Sequence, residues 1–413
     1  MRLFILELKR IIKTRLVIIL MLAAIVLSVL CAWFPVTFVE AVTLDGNNHK
    51  VKLTGLDAIR FYQENDYRQG IVTAEKVQDA MKHRQEILRE YNSEYGENVP
   101  DVVYTRELWP NVRITKGAME VMADRSNGIV PEVLDIDTSE LSDYYGLMEG
   151  RLRSILRMED PRYPSAEEKA VEKFSAVSKP YTYFFGVDSN NMDYETILIF
   201  LLCVICAFIC STLFSSDAQT KAEEIHLCSK NGTLHLAVTR IGVSMTICAA
   251  LFVICVSIFI LITQSFFGKA GNLTSVQVLY SVTSLIPWNM GQLQWNLMWY
   301  SLLFMECTIL FSLLISTLCR NNTTAVGSSL LSVVLPIIVY VAAPEKIGNW
   351  LQCILPSGGI GTSNSVLYML RDYTFLHIGT LSFWSVDVLL FITALEIPLF
   401  MLTTMFFYRR KTS

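Results

Sequence analysis

Five stretches of the chain, 16–39, 196–214, 241–267, 297–318 and 386–408, are apolar over lengths that match the roughly 20 residues a helix needs to cross a bilayer core. A sixth, 324–343, is diluted by Gly327, Ser328, Ser329 and Pro336 but carries no charge. Small residues and a proline are tolerated in membrane helices whose neighbours cover the backbone, so it also counts as a span. The pattern predicts six transmembrane helices. Arg2, Lys9, Arg10, Lys13 and Arg15 precede the first run, as in a signal peptide, but its apolar stretch is too long and no small-x-small site follows. An uncleaved anchor is expected. Ahead of it, Leu3 to Leu6 with Leu8, Ile11 and Ile12 read as a short basic amphipathic helix at the membrane surface.

Between the first two spans the pattern changes. Residues 40–192 show helical periodicity at 73–91, opened by Thr73 as N-cap, and at 141–158, with Leu147, Met148, Leu152, Ile155 and Leu156 on one stripe. Ser165-Ala-Glu-Glu predicts a capping box for a helix over 165–177. Short strand-like pieces occur at 50–53 and 102–104. The expectation is a separately folding, mainly helical α/β domain. Two later connections stand out: 276–286, as an interfacial helix, and 347–380, as a re-entrant region around Leu355-Pro356-Ser357-Gly358-Gly359.

Composition sharpens this division. The chain is 52% hydrophobic and 17% charged, against about a quarter charged for a soluble domain. Residues 40–192 hold 27 of the 38 acidic and 19 of the 34 basic residues, a net charge of −8 in a chain of net −4. None of the ten cysteines lies there, which argues against a disulfide-built exported domain. Outside that region, 12 basic residues fall on the side of the termini and 3 on the other. By the positive-inside rule both termini are cytoplasmic and 40–192 is outside a plasma membrane. Trp33, Trp288, Trp295, Trp299 and Trp384 cluster at the outer span ends, as an aromatic belt does.

Candidate chemistry is sparse. No phosphate-binding loop, nucleophile elbow or H-E-x-x-H motif is present, and the histidines have no metal or catalytic spacing. Cys203, Cys206 and Cys210 share a helix face without a fourth ligand. Lys82, Arg84 and Arg89 read as a solvated helix face rather than a binding site. Glu306 and Glu396 lie within spans, where a charge costs about 2.5 kcal/mol or more, and are candidate transport-path residues. The chain is read as a non-enzyme that binds no cofactor and no nucleic acid, in contact with membrane lipid.

The loop 215–240 (SSDAQTKAEEIHLCSKNGTLHLAVTR), the hairpin 313–331 (LLISTLCRNNTTAVGSSLL), the segment 353–359 (CILPSGG) and 55–73 in the large domain together resemble the permease subunits of ABC-2-class transporters, in the subgroup with a large outer domain after the first span. In the loop the likeness rests on the acidic pair Glu223/Glu224, on Gly232, and on Arg240 opening the next span; Asp217 stands where many members carry Glu. The resemblance implies a type V exporter-like arrangement: an elbow helix and first span in 1–39, an extracytoplasmic domain in 40–192, and five further spans in 193–413. It implies a coupling loop at 215–240 with Ile225 and Leu227 docked into a cytoplasmic ABC ATPase, which supplies ATP and Mg. It also implies a second permease copy or paralogue, and export of a peptide, lipid or drug. The rival reading is a membrane receptor or sensor whose outer domain binds a ligand.

Overall fold

The computed structural model describes residues 2–222 and 234–410. It contains six helices long and apolar enough to cross a membrane: Arg15–Thr37, Ser189–Thr220, Leu234–Phe267, Met290–Leu318, Asn322–Ala342 and Ser385–Arg410. The protein is an α-helical, multi-pass membrane protein. Several helices outrun their apolar cores, because helical backbone continues into polar sequence wherever a cap satisfies its first N–H groups. Asp188 caps the second span through Asn190 and Asn191, and Asn289 caps the fourth through Gln292. The third span is already helical at Leu234, so Arg240 lies inside the helix rather than at its opening.

The central pair of spans, Ser189–Thr220 and Met290–Leu318, is the most enclosed; the faces of the first, fifth and sixth stay largely uncovered. Before them runs a surface helix, Arg2–Ile12, whose Ile11 packs into the core while Ile5 and Leu6 face outward.

Residues 40–188 form an insert built mainly of helices. A hairpin pairs Glu40–Leu44 with Lys50–Thr54 in antiparallel register, and Gly70–Val72 pairs with Tyr181–Tyr183. The helices Leu56–Asn65, Ala74–Glu90, Trp109–Val121, Tyr144–Glu159 and Pro164–Ser175 enclose Ile59, Met81, Leu88, Leu141 and Leu152. Thr73 caps Ala74–Glu90 by accepting from the Lys76 amide at 3.2 Å. Three local expectations fail. Residues 102–104 are helical, because Pro100 starts a helical turn there. The helix expected over 165–177 is present as Pro164–Ser175, but its capping box is not: Ser165 lies inside the helix and donates to Thr380 O at 2.8 Å. The interfacial helix expected over 276–286 shrinks to the turn Val276–Leu279, since Gln277 turns back to bond Ser284 O and Ile286 O.

The insert does not stand apart from the rest of the protein. The connection before the fourth span crosses its base: Tyr181 Oη donates to Val282 O at 2.9 Å, the Phe184 amide donates to Thr274 Oγ1 at 2.9 Å, and Glu120 accepts from the Val282 amide at 3.0 Å. Gly186 and Gly271 meet where the two segments cross, and a Cβ on either would fall within 2.4 Å of the other's Cα. The connection before the last span adds Asp160–His377 at 3.2 Å, with Tyr163 stacked flat on His377 at 3.6 Å, and the first turn of the last span adds Lys173–Asp387 at 2.8 Å. The insert shares its core with both connections.

Between the fifth and sixth spans, the helices Glu345–Ile354 and Val366–Arg371 flank a buried turn at 355–361. Thr308 donates to Pro356 O at 3.1 Å and Ser357 donates to Ser332 O at 2.8 Å, which sets the turn level with the middle of the fourth and fifth spans. Glycine is required in this turn: a Cβ at Gly359 would lie 2.3 Å from the Phe304 ring, and one at Gly358 would lie 1.7 Å from Gln352 O.

Candidate functional site

A buried charge cluster sits beside the surface helix, where the two ends of the 215–240 loop meet. Arg240 is wholly buried, its Nη1 2.5 Å from Asp217 Oδ2 and its Nε 3.4 Å from Glu7 Oε2. Arg10 closes the ring, 3.0 Å from Glu7 and 3.7 Å from Asp217. The Arg240 guanidinium also lies 5.6 Å from the Phe214 ring centre, and Phe214 packs on Tyr408 of the last span. Two acids and two bases from three helices therefore neutralise one another. A buried cation of this kind is tolerated only when paired and held in good geometry.

The loop is anchored on its other flank as well. The Phe214 and Ser215 amides donate to Ser316 Oγ at 3.0 and 3.1 Å, Ser215 Oγ donates to Asn322 Oδ1 at 2.7 Å, and the Asn322 amide donates to Gln219 at 3.2 Å. The start of the loop is thus bonded to the turn joining the fourth and fifth spans. Of the expected coupling residues, Arg240 lies in this network, whereas Glu223, Glu224, Ile225, Leu227 and Gly232 fall outside the described residues. The sequence marks Asp217 and Glu7 only as acids next to apolar runs; nothing in their spacing pairs them with Arg240.

Within the spans, Glu306 is 8% exposed, and neither of its carboxyl oxygens has a hydrogen-bond partner. Glu396 does not join it; its Oε2 meets Cys307 Sγ at 3.3 Å, on the neighbouring residue of the same helix. Sequence reasoning missed Glu195, which is fully buried in the second span and faces Gln294 of the fourth without a well-aligned hydrogen bond. It was overlooked because it precedes the apolar run, although the helix starts six residues earlier, at Ser189. Gln264 and Thr263 of the third span both bond Gln294 of the fourth, giving the spans a polar seam near their insert-side ends.

On the insert side, two confluent cavities of about 700 and 370 Å³ open above the buried turn and share Glu345, Asn349, Asp372 and Thr374. Glu159, Asp160, Glu345 and Asp372 line them against Lys346, Arg371 and His377. Glu159 keeps an exposed side chain, yet partial desolvation of its carboxyl in the cleft, followed by repulsion from Asp160, Asp372 and Glu345, pushes it up to about 7. The smaller cavity is lined by Asn364 and Ser385, both buried, with side chains that bond nothing in the protein. Among the described residues, no group of three or more His, Cys, Asp or Glu side chains is arranged to hold a metal. Cys210 and Cys248 approach to 3.5 Å without one.

Comparison with family models, curated proteins and solved structures returned no match. The functional reading therefore rests on the geometry and on the resemblance of the loop and hairpins.

Proposed function

We propose that this chain is the membrane permease subunit of an ABC-2-class exporter, powered by ATP that a separate cytoplasmic subunit hydrolyses with Mg. The observation that carries this reading is the bonding of the 215–240 loop at both ends. Asp217 and Arg240 tie the loop to the surface helix through Glu7 and Arg10. Ser215 and Gln219 tie it to the turn between the fourth and fifth spans. A push on the loop would move the surface helix and those spans together, as coupling to an external motor requires. In this reading the termini face the cytoplasm and the insert faces outward, in keeping with the 12-to-3 division of basic residues. Glu195, Glu306 and Glu396 are the candidate path residues, and the uncovered apolar face of the first, fifth or sixth span would receive a second permease copy or lipid.

The test is purification of the tagged full-length chain from its native host, with mass spectrometry of what co-elutes and assay of ATP hydrolysis. A nucleotide-binding ATPase should co-elute. Ile225→Asp should release it while leaving the permease folded, because truncating or charging a buried anchor costs an interface more than about 1 kcal/mol. Retention of the ATPase and its full activity by Ile225→Asp would remove the coupling role. The cleft with its unpartnered Asn364 and Ser385 favours the second reading, a ligand-binding receptor, and recovery of the chain without any ATPase would select it.

A further inference from the structure

Arg84 was read from sequence as part of a solvated helix face, and the structure overturns that: the residue is 8% exposed. Its helix, Ala74–Glu90, packs against Trp109–Val121, and between them lies a cavity of about 260 Å³ closed by Val278 and Leu279 of the connection before the fourth span. Trp109, Val112, Arg113 and Lys116 follow the i, i+3, i+4, i+7 spacing that places them on one helix face, and all four line the cavity with Arg84.

Three cations line this space and no acid does. Arg84 Nη1 donates to Thr115 Oγ1 at 3.0 Å and reaches Met119 Sδ at 3.2 Å, but its Nε has no partner. The Nε of Arg113 and the indole N–H of Trp109 are likewise buried and unpartnered. Arg113 lies over the Trp109 ring at 4.4 Å, and Lys116 Nζ donates to Leu279 O at 3.2 Å. Burial pushes the Arg84 guanidinium down to about 10, with only Tyr104 opposing it. Lys116 is exposed along its stem, and partial desolvation of its ammonium lowers it against the pull of Glu120, with smaller repulsion from Arg113 and Arg371.

The carboxylates nearest these cations are committed elsewhere. Asp66 accepts from Tyr183 Oη at 2.7 Å and from the Arg68 amide at 3.0 Å. Asp188 caps the second span, and Glu120 accepts from Ser281 and from the Val282 amide. Asp66 and Asp188 still attract Arg113, and Glu120 attracts Lys116, but no carboxylate acts on Arg84. A buried guanidinium with an unfilled donor and no acid beside it is costly, and an anion from outside removes that cost.

We propose that this pocket binds a small anionic amphiphile, with phosphate or carboxylate oxygens on Arg84, Arg113 and Lys116 and an apolar part against Trp109, Met119 and Leu279. The cavity lies just below the range of about 300–1,000 Å³ typical of drug-sized ligands, which suits a headgroup or small acid rather than a folded peptide. The proposal is independent of whether the chain transports or senses.

The test is isothermal titration of the full-length protein in uncharged detergent with dihexanoyl phosphatidate, inorganic phosphate and dihexanoyl phosphatidylcholine. Phosphatidate should bind saturably and raise the melting temperature, and phosphatidylcholine should do neither. Arg113→Gln should weaken phosphatidate binding about tenfold or more, through loss of a charge-assisted bond, without changing the ligand-free melting temperature. Arg84→Met provides a second variant, with the same loss expected. Inorganic phosphate binding as tightly as phosphatidate identifies the natural source as a free anion; much weaker phosphate binding identifies a lipid headgroup. Equal phosphatidate affinity in the wild type and both variants, equal binding of phosphatidylcholine, or no binding of either anion at millimolar concentration would overturn the proposal.

Discussion

Arg240 and Arg84 are both buried arginines, one among the spans and one in the insert, and their surroundings meet the same electrostatic cost in opposite ways. Arg240 is enclosed completely, with Asp217 and Glu7 against its guanidinium and Arg10 completing a neutral ring. Arg84 is almost as deeply placed, yet its partners are a hydroxyl and a thioether, and its nearest charged neighbours in the cavity are also cations. Charge pairing ties several helices into one unit, even though the Arg240 nitrogens meet these acids as ion pairs and not as well-aligned hydrogen bonds. Absent pairing leaves donors ready for a group the chain does not supply. Burial alone therefore does not separate a structural arginine from a binding one; the charge of what faces it does.

The largest effect is expected from breaking the paired cluster. Asp217→Ala leaves Arg240 buried with only Glu7 near its Nε, and removing one partner of a buried pair typically costs about 3–5 kcal/mol. The variant should melt far below the wild type in detergent, and its surface helix Arg2–Ile12 should become sensitive to protease. Asp217→Leu combined with Arg240→Met should regain most of the stability, because no uncompensated charge remains. A single variant that melts like the wild type would mean that the cluster does not hold the helices together.

A much smaller effect is expected from Arg84→Met in the ligand-free protein. Methionine keeps most of the aliphatic volume, and Thr115 keeps its bond to Asn111 O at 2.7 Å. With no ion pair to break, stability should stay within about 1 kcal/mol of the wild type or rise. Thermal unfolding of the two proteins side by side decides this. A loss as large as that of Asp217→Ala would place Arg84 in the structural class and erase the contrast.

The spans were legible in the sequence because a run of apolar residues has no alternative in a bilayer, and the six helices fall on the six expected runs. The two arginine environments were less so. Arg240 stood out as a basic residue beside an apolar run, but its partners are 23 and 233 residues away, and pairing across such distances is a product of packing. Arg84 was misjudged because helical periodicity reports which positions share a face, not whether another helix covers that face. Trp109, Arg113 and Lys116 carried the missing half of the signal. The insert's dependence on the 268–289 and 343–384 connections was also hidden, since hydrogen bonds such as Tyr181 to Val282 leave no pattern in either segment.

The smallest expected effect sharpens the contrast from the acidic side. Glu159 resembles Arg84 in facing like charge, with Asp160, Asp372 and Glu345 around it, although Lys346, Arg371 and His377 also line the cleft and its own side chain remains open to water. Its carboxyl is raised from 4.5 to about 7, so between those pH values the folded protein holds a proton that the unfolded chain has released. By linkage, this contribution to stability is complete below about pH 4.5 and fades as pH rises through 7. Solvent screening keeps the amplitude modest. Glu159→Gln removes the titration and leaves the Asp160–His377 contact in both proteins. Melting temperatures measured from pH 5 to 8 should show the variant gaining on the wild type as pH rises to about 7, with a constant difference above it. A difference that stays flat across the whole range would show that solvent already neutralises the crowding at Glu159, and that only the deeper cluster around Arg84 carries an uncompensated charge.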